Sequence, residues 1–234
     1  METNLKSAGQ VAYSGLQHQP GRKGHLGPLL QNVRKFLRAQ FGRPTGIWGH
    51  VVGGIMARTP SNLERSQWTI GLLDLKPTDR VLEIGFGPGL AIEAASRMVT
   101  QGVIMGVDHS PVMLAQAKKR NSRAVDEGRV ELLLGSALDL PVFQQPFDTV
   151  FTINSIHFWT EPTECLRRLC GALKPGGLIA VTIQPRSIGT TDSHVRQIGE
   201  ELVKKLRAAG FVNCRLELHH IPPAYVACAL GNRP

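Results

Sequence analysis

From residue 29 the apolar positions Leu29, Leu30, Val33, Phe36 and Leu37 fall on one side of a helical wheel, and Gln31, Asn32, Arg34, Lys35 and Arg38 on the other. That spacing predicts an amphipathic helix, ended by Gly42 and Pro44. Residues 41–59 mix glycines with Trp48, His50, Val51, Val52, Ile55 and Met56, which suggests a short, bent cap. A second helix is expected from Ser61 or Asn62 to about Leu73, with Glu64 completing a capping box from Ser61. After Pro77 the pattern turns to short buried runs at 81–84, 103–107, 130–134, 149–154 and 178–183, with helical stretches between most of them. Such alternation implies a largely parallel sheet covered on both faces by right-handed crossovers. The end differs. A helix over 193–209 precedes extended runs at 214–220 and 225–230, and their Ile221-Pro222-Pro223 junction is too short for anything but an antiparallel pair. Residues 1–27, rich in Gly, Gln, Ser and His, carry neither period and read as a mobile tail. The expected division is therefore a tail over 1–27, an N-terminal helical cap over 28–75 and an α/β domain over 76–234.

Composition narrows the class. A chain of 234 residues with 42% apolar content can bury a full core without a metal or disulfide. Its apolar runs are far too short to span a bilayer, and residues 1–10 lack the apolar core of a secretory signal. Cys165, Cys170, Cys214 and Cys228 lie 5, 44 and 14 residues apart with no His at zinc-ligand spacing, so they read as free core thiols with no metal site. A cytoplasmic protein is expected. The net charge of +9 is uneven, because residues 1–66 hold nine bases against two acids while the rest holds 18 against 16. That basic segment suits phosphates, an anionic membrane, an acidic partner or plain solvent.

The most informative segment is Val81-Leu82-Glu83-Ile84-Gly85-Phe86-Gly87-Pro88-Gly89, a buried strand running into a glycine turn and then a helix. Glycines let a ligand approach the backbone, and the helix start offers free N–H groups to an anion. A nucleotide-type ligand follows. A dinucleotide fingerprint would need Gly or Ala where Leu90 stands, and a phosphate-binding P-loop would need a Lys after the glycines. Both weaken. The second strand ends in Asp108, 19 residues after Gly89, where a carboxylate can accept from both hydroxyls of a ribose. His109 and Met113 could flank the base. The alternative for Asp108 is the N-cap of a helix starting near Pro111.

Five segments in register, V-L-E-I-G-F-G-P-G (81–89), G-V-D-H-S-P-x-M (106–113), G-S-A-L-D-L-P (135–141), F-D-T-V-F-T-I-N-S-I-H-F-W (147–159) and L-K-P-G-G (173–177), resemble the class I S-adenosylmethionine-dependent methyltransferases. The subgroup they resemble is the ubiquinone/menaquinone-type small-molecule enzymes. The resemblance covers about residues 60–234. It implies a doubly wound, mostly parallel seven-stranded sheet of order 3-2-1-4-5-7-6 with the last strand antiparallel, and S-adenosyl-L-methionine as cofactor. It also implies that Glu83 and the backbone of Gly85, Gly87 and Gly89 hold the methionine part and that Asp108 takes the ribose. His109, Met113, Ser136 and Ala137 would then lie at the adenine, and Asn154 near the methionine amine. Many relatives carry Asp where this chain has Ser136, which offers a weaker acceptor.

Methyl transfer from a sulfonium needs collinear approach and a dry pocket, and neither metal nor covalent nucleophile. A ligand in an open parallel sheet sits beyond the carboxyl ends of the strands, so the residues after strand four are the substrate candidates. His157 is the best-placed base, with a hydrogen-bonded pocket histidine as the alternative. Phe158 and Trp159 suit an apolar or cation-binding wall. Trp48 and His50 of the cap are second candidates. The expected function is methyl transfer to N, O or C of a small, partly apolar molecule. Three alternatives stand beside it: a lipid enzyme docked peripherally on an anionic membrane by the 29–41 helix, an RNA methyltransferase, and a non-methylating use of the cofactor. Nucleic acid is disfavoured, because Asn154-Ser155-Ile156-His157 is not the Asn-Pro-Pro-aromatic run of exocyclic-amine enzymes and no RNA-binding module is appended. Oligomeric state is not legible.

Overall fold

The computed structural model describes residues 60–185, 191–222 and 224–234. The expected tail, the 29–41 helix, and Trp48 and His50 lie outside the described residues, as does 186–190. The elements are α1 (Pro60–Gly71), β1 (Arg80–Ile84), α2 (Leu90–Ser96), β2 (Val103–Asp108), α3 (Pro111–Arg120), α4 (Ser122–Asp126) and β3 (Val130–Leu134). There follow β4 (Phe147–Ile153), a 3-10 turn (Ile156–Phe158), α5 (Pro162–Ala172), β5 (Leu173–Ile183), α6 (Asp192–Ala208), β6 (Val212–Ile221) and β7 (Ala224–Asn232). They form one seven-stranded sheet of order β3-β2-β1-β4-β5-β7-β6. The first five strands run parallel, and β7 is antiparallel to both its neighbours.

The strand alternation explains the two helix layers, since successive side chains point to opposite faces. Leu82, Val150, Ile179 and Val181 pack with Leu166 and Leu169 of α5 and Leu202 and Leu206 of α6. Their neighbours Val81, Phe151 and Ala180 pack on the other face with Ile70 of α1, Ala91, Ile92 and Ala95 of α2, and Ala117 of α3. Both faces are buried, as a parallel sheet requires.

Two strands start earlier than their apolar runs. Leu173 pairs with Phe147 and Leu178 with Thr149, so Lys174–Gly177 forms a bulge within β5 rather than a turn before it. Gly176 takes φ 77 there. Its N–H donates to Arg233 O, and Arg233 N–H returns to Gly177 O. Lys174 pairs with Asp148, which also accepts the Arg80 N–H at 2.8 Å. A second bulge between Val212 and Arg215 moves the start of β6 forward in the same way.

Helix α1 lies on the sheet through polar contacts as well as apolar ones. Thr69 donates to the Thr182 hydroxyl at 3.0 Å, and Trp68 stacks on His219 of β6 with ring centroids 5.4 Å apart. All four cysteines are free, and burial pushes the Cys228 thiol up to about 12. Among the described residues no helix is long and apolar enough to cross a membrane.

Phe151 is fully buried in central β4. Phe151→Ala should cost about 3–5 kcal/mol by urea titration, and a loss under ~1 kcal/mol would mean that β4 is not the centre of the core.

Candidate active site

The turn after β1 is held from three sides. Gly85 donates to Val107 O of β2 at 2.7 Å. A Cβ on Gly85 would sit 2.4 Å from Ser155 Cβ, so the chain leaving β4 packs directly on this glycine. Gly89, at φ 80, faces α3: a Cβ there would meet Asn121 Nδ2 at 2.6 Å and the Ala117 Cα at 3.0 Å. Asn121 donates to Gly89 O at 3.2 Å, and Arg120 to Pro88 O at 3.0 Å. Gly87, at φ 52, has nothing within 4 Å of a Cβ position. The three glycines therefore do different things, and Gly87 is the one that leaves open space for a ligand.

Two carboxylates flank that space. Asp108 ends β2 and is only 6% exposed. Its Oδ2 accepts the Gly87 N–H at 2.8 Å and its Oδ1 the Ser110 N–H at 2.9 Å. Burial raises its pKa, and the Ser110 and Gly87 N–H groups pull it part of the way back. Asp108 does not cap α3; Ser110 does, accepting the Met113 N–H at 3.3 Å. The His109 main-chain N–H also contributes to this carboxylate, which with about four acceptor positions keeps capacity for a ligand hydroxyl. Glu83, on β1, is 2% exposed, and its Oε2 has no hydrogen-bond partner. Burial pushes its pKa well above the usual carboxylate range, the Asp108 charge adds to the rise, and the Ile92 N–H opposes it. An orphaned acidic oxygen, a ribose-height carboxylate and an open glycine suit a ligand carrying a cationic group at one end and hydroxyls at the other.

The remaining candidates take varied positions. His109 is half-exposed, with Nδ1 3.8 Å from Asp108 Oδ1. Met113 is 3% exposed in the first turn of α3. Ser136 is exposed and closes a turn by accepting the Asp139 N–H at 3.1 Å, whereas Ala137 is buried. Asn154 stands at the tip of β4 with φ 54, and its Oδ1 accepts the Gln184 N–H at 2.7 Å. Ser155 donates to Ile84 O at 3.1 Å and shares a hydrogen bond with Thr152. His157 and Phe158 are exposed on the 3-10 turn with ring centroids 4.0 Å apart. Trp159 is half-buried and packs on the core, so only part of it is free to form a wall. Among the described residues no three His, Cys, Asp or Glu side chains gather as metal ligands.

Sequence reasoning missed Ser155, Asn121 and Gln184. The signal for Ser110 was present, because a serine directly before Pro111 is an N-cap followed by proline at N1. Gln184 carried only its place, the first residue after a strand ending on the ligand edge.

The raised pKa of Glu83 fixes a sign. The folded chain holds this proton more tightly than the unfolded one. Stability contributed by the protonated group is therefore lost as pH rises from the ordinary carboxylate range towards the raised folded value. Glu83→Gln keeps the acceptor for Ile92 and should flatten that fall, making the ligand-free variant the more stable protein at about pH 8 in urea titrations. A variant less stable than the parent at that pH would mean that the ionised form is the one the fold favours.

A model described as a methyltransferase domain matches residues 81–177. The chain is 31% identical over 184 residues to the uncharacterized methyltransferase YdaC of Bacillus subtilis, covering 79% of this chain and 98% of that protein. It is 30% identical over 140 residues to the 27-O-demethylrifamycin SV methyltransferase of Amycolatopsis mediterranei, covering 57% of this chain but only 50% of that longer protein. A SAM-dependent methyltransferase from Aquifex aeolicus shares the fold with a TM-score of 0.61 at 22% identity, over 75% of this chain and 94% of that one. Alignment across nearly all of YdaC, on a sheet whose strand order and reversed β7 the chain reproduces, makes it a member of the class I S-adenosylmethionine-dependent methyltransferases, with S-adenosylmethionine as cofactor.

Proposed function

We propose that the protein methylates a hydroxyl of a small, partly apolar molecule. S-adenosylmethionine supplies a methyl on a sulfonium, which passes to a lone pair by in-line displacement. The observation that carries the cofactor half of this reading is the pairing of an unpartnered Glu83 oxygen with Asp108 around the open Gly87. In this reading Asp108 accepts from the ribose hydroxyls, Glu83 takes the amine, and Gly85, Gly87 and Gly89 shape the turn beneath. His109, Met113, Ser136 and Ala137 border the adenine.

The substrate half rests on the residues after β4. A hydroxyl gains from a base that removes its proton as the new bond forms, whereas a neutral amine needs none. His157 is exposed beside Phe158 on the turn that follows Ser155. It would take that proton while Phe158 and the free part of Trp159 form an apolar wall that excludes water. The rifamycin relative is named for an O-methylation, which supports oxygen as the accepting atom. Four free thiols suit a cytoplasmic location.

Calorimetric titration with S-adenosylhomocysteine tests the first half. The expected result is micromolar binding, weakened roughly 10- to 100-fold in Asp108→Ala, as loss of hydrogen bonds to a charged group predicts, and no binding of NAD. Tight NAD binding, or an unchanged Asp108→Ala variant, would overturn it. For the second half, His157→Ala should lower kcat on hydroxyl acceptors by about 10²- to 10⁴-fold and remove the acidic limb of the pH profile. An acceptor screen in which only amines are methylated, indifferent to this change, would sink the hydroxyl reading.

A further inference from the structure

Gln184 joins three parts of the ligand edge. It follows β5 directly and is 5% exposed. Its Oε1 accepts from Arg65 Nη1 of α1 at 2.6 Å, and Arg65 Nη2 in turn donates to Asn62 Oδ1 at 2.6 Å. Its Nε2 donates to Ile221 O at 2.9 Å and Ala224 O at 3.2 Å, on either side of the β6–β7 hairpin turn. Its main-chain N–H donates to Asn154 Oδ1 at 2.7 Å. The side chain is thus fastened to a helix and a hairpin, and the backbone it fixes is the one that meets Asn154.

That last bond decides how the Asn154 amide lies. An N–H at hydrogen-bond distance requires an acceptor, so the amide oxygen faces Gln184 and the NH₂ takes the other side. The Asn154 backbone is held as well, by its N–H to Thr182 O at 2.9 Å and by its left-handed φ of 54. The next residue, Ser155, packs on Gly85. Asn154 therefore offers donors at the junction of β1 and β4.

We propose that Asn154 donates a hydrogen bond to the carboxylate of the cofactor's amino-acid arm, and that Gln184 is the positioning residue that keeps its amide turned for that purpose. The inference rests on the reading that the arm lies at the β1–β4 junction. It departs from the expectation that Asn154 serves the amine, because the bond from Gln184 turns the Asn154 oxygen towards the end of β5 and leaves the NH₂, a donor that suits a carboxylate and not an ammonium, on the other side. The two ends of the arm are then told apart by chemistry: Glu83, with its unpartnered oxygen, suits the ammonium, and Asn154 the carboxylate. Arg65 and the hairpin hold Gln184 and bear on this contact through it.

The test is calorimetry of the full chain with two ligands, S-adenosylhomocysteine and 5′-methylthioadenosine, which lacks the amino-acid arm. Asn154→Asp keeps the shape and the acceptor for Gln184 but replaces the donor with a negative oxygen. It should weaken S-adenosylhomocysteine roughly 10- to 100-fold and leave methylthioadenosine within about twofold. Gln184→Glu keeps the acceptor for Arg65 but sets an oxygen against the Ile221 and Ala224 carbonyls. It should weaken S-adenosylhomocysteine alone by about 3- to 10-fold, and add nothing to that loss in the Asn154→Asp background. Should that variant fail to fold, Arg65→Met loosens the same clamp from the helix side and carries the same expectation. Equal effects of Asn154→Asp on both ligands, or none on either, would overturn the donor role. A Gln184 variant that lowers Tm without changing the ratio of the two affinities would reduce Gln184 to a structural residue. A parent protein that binds methylthioadenosine but not S-adenosylhomocysteine would remove the carboxylate contact outright. A parent that binds neither would remove the cofactor reading itself and the proposal with it.

Discussion

Two acidic groups buried side by side at the ends of β1 and β2 are the constraint around which this edge of the sheet is arranged. Taking a carboxylate out of water costs several kcal/mol unless hydrogen bonds replace the solvent. Asp108 recovers part of that cost from the N–H groups of Gly87 and Ser110, and Glu83 from that of Ile92. Each donor belongs to a turn or to the first turn of a helix. The glycine turn, the start of α2 and the start of α3 are therefore placed by the acids they serve. Glu83 is left incompletely satisfied, and in native proteins a buried polar atom without a partner is rare enough to point to a ligand. The affinity for a cationic group is in that sense built in before the ligand arrives.

The same edge is closed from the β4 side by contact rather than charge. Ser155 stands where a Gly85 side chain would be, so the turn after β1 and the chain leaving β4 can approach only because residue 85 has no Cβ. Asn121 and Ala117 impose the same condition on Gly89 from α3. Two of the three glycines thus serve close packing, which leaves the third with the open approach.

Much of this was legible in the chain. Short, nearly continuous apolar runs located the strands of the parallel part, because both faces of a parallel sheet are covered. The pairing of a glycine turn with an acid on the next strand picked out two residues that the structure brings together, Gly87 and Asp108. The bulges were not legible, because Gly176 exchanges hydrogen bonds with Arg233, far along the chain, and nothing local announces such a partner. Nor was the division of labour among the glycines, since it depends on Ser155, Asn121 and Ala117 arriving from elsewhere. Asp108 was open to a reading as a helix cap because the sequence alone does not rank it against Ser110; the distances do.

Helix α1 shows why a polar seam can be retained in an otherwise apolar layer. Arg65 meets Gln184 while Thr69 meets Thr182. Four residues along the helix, about 6 Å, thus match two residues back along the strand, about 6.6 Å. The helix must run antiparallel to β5, with Pro60 towards the carboxyl edge and Ile70 towards the start of β1. Apolar contacts alone would tolerate a slide of one turn, since leucines and alanines on a helix face are nearly interchangeable in packing. A guanidinium that must find Gln184, and a hydroxyl that must find Thr182, tolerate no slide, because each would then lose its partner on β5 or just after it. The seam stabilises less than a leucine face would, but it fixes the height of the helix. The first turn of α1 is therefore held at the same edge of the sheet that carries Glu83, Asp108 and Asn154.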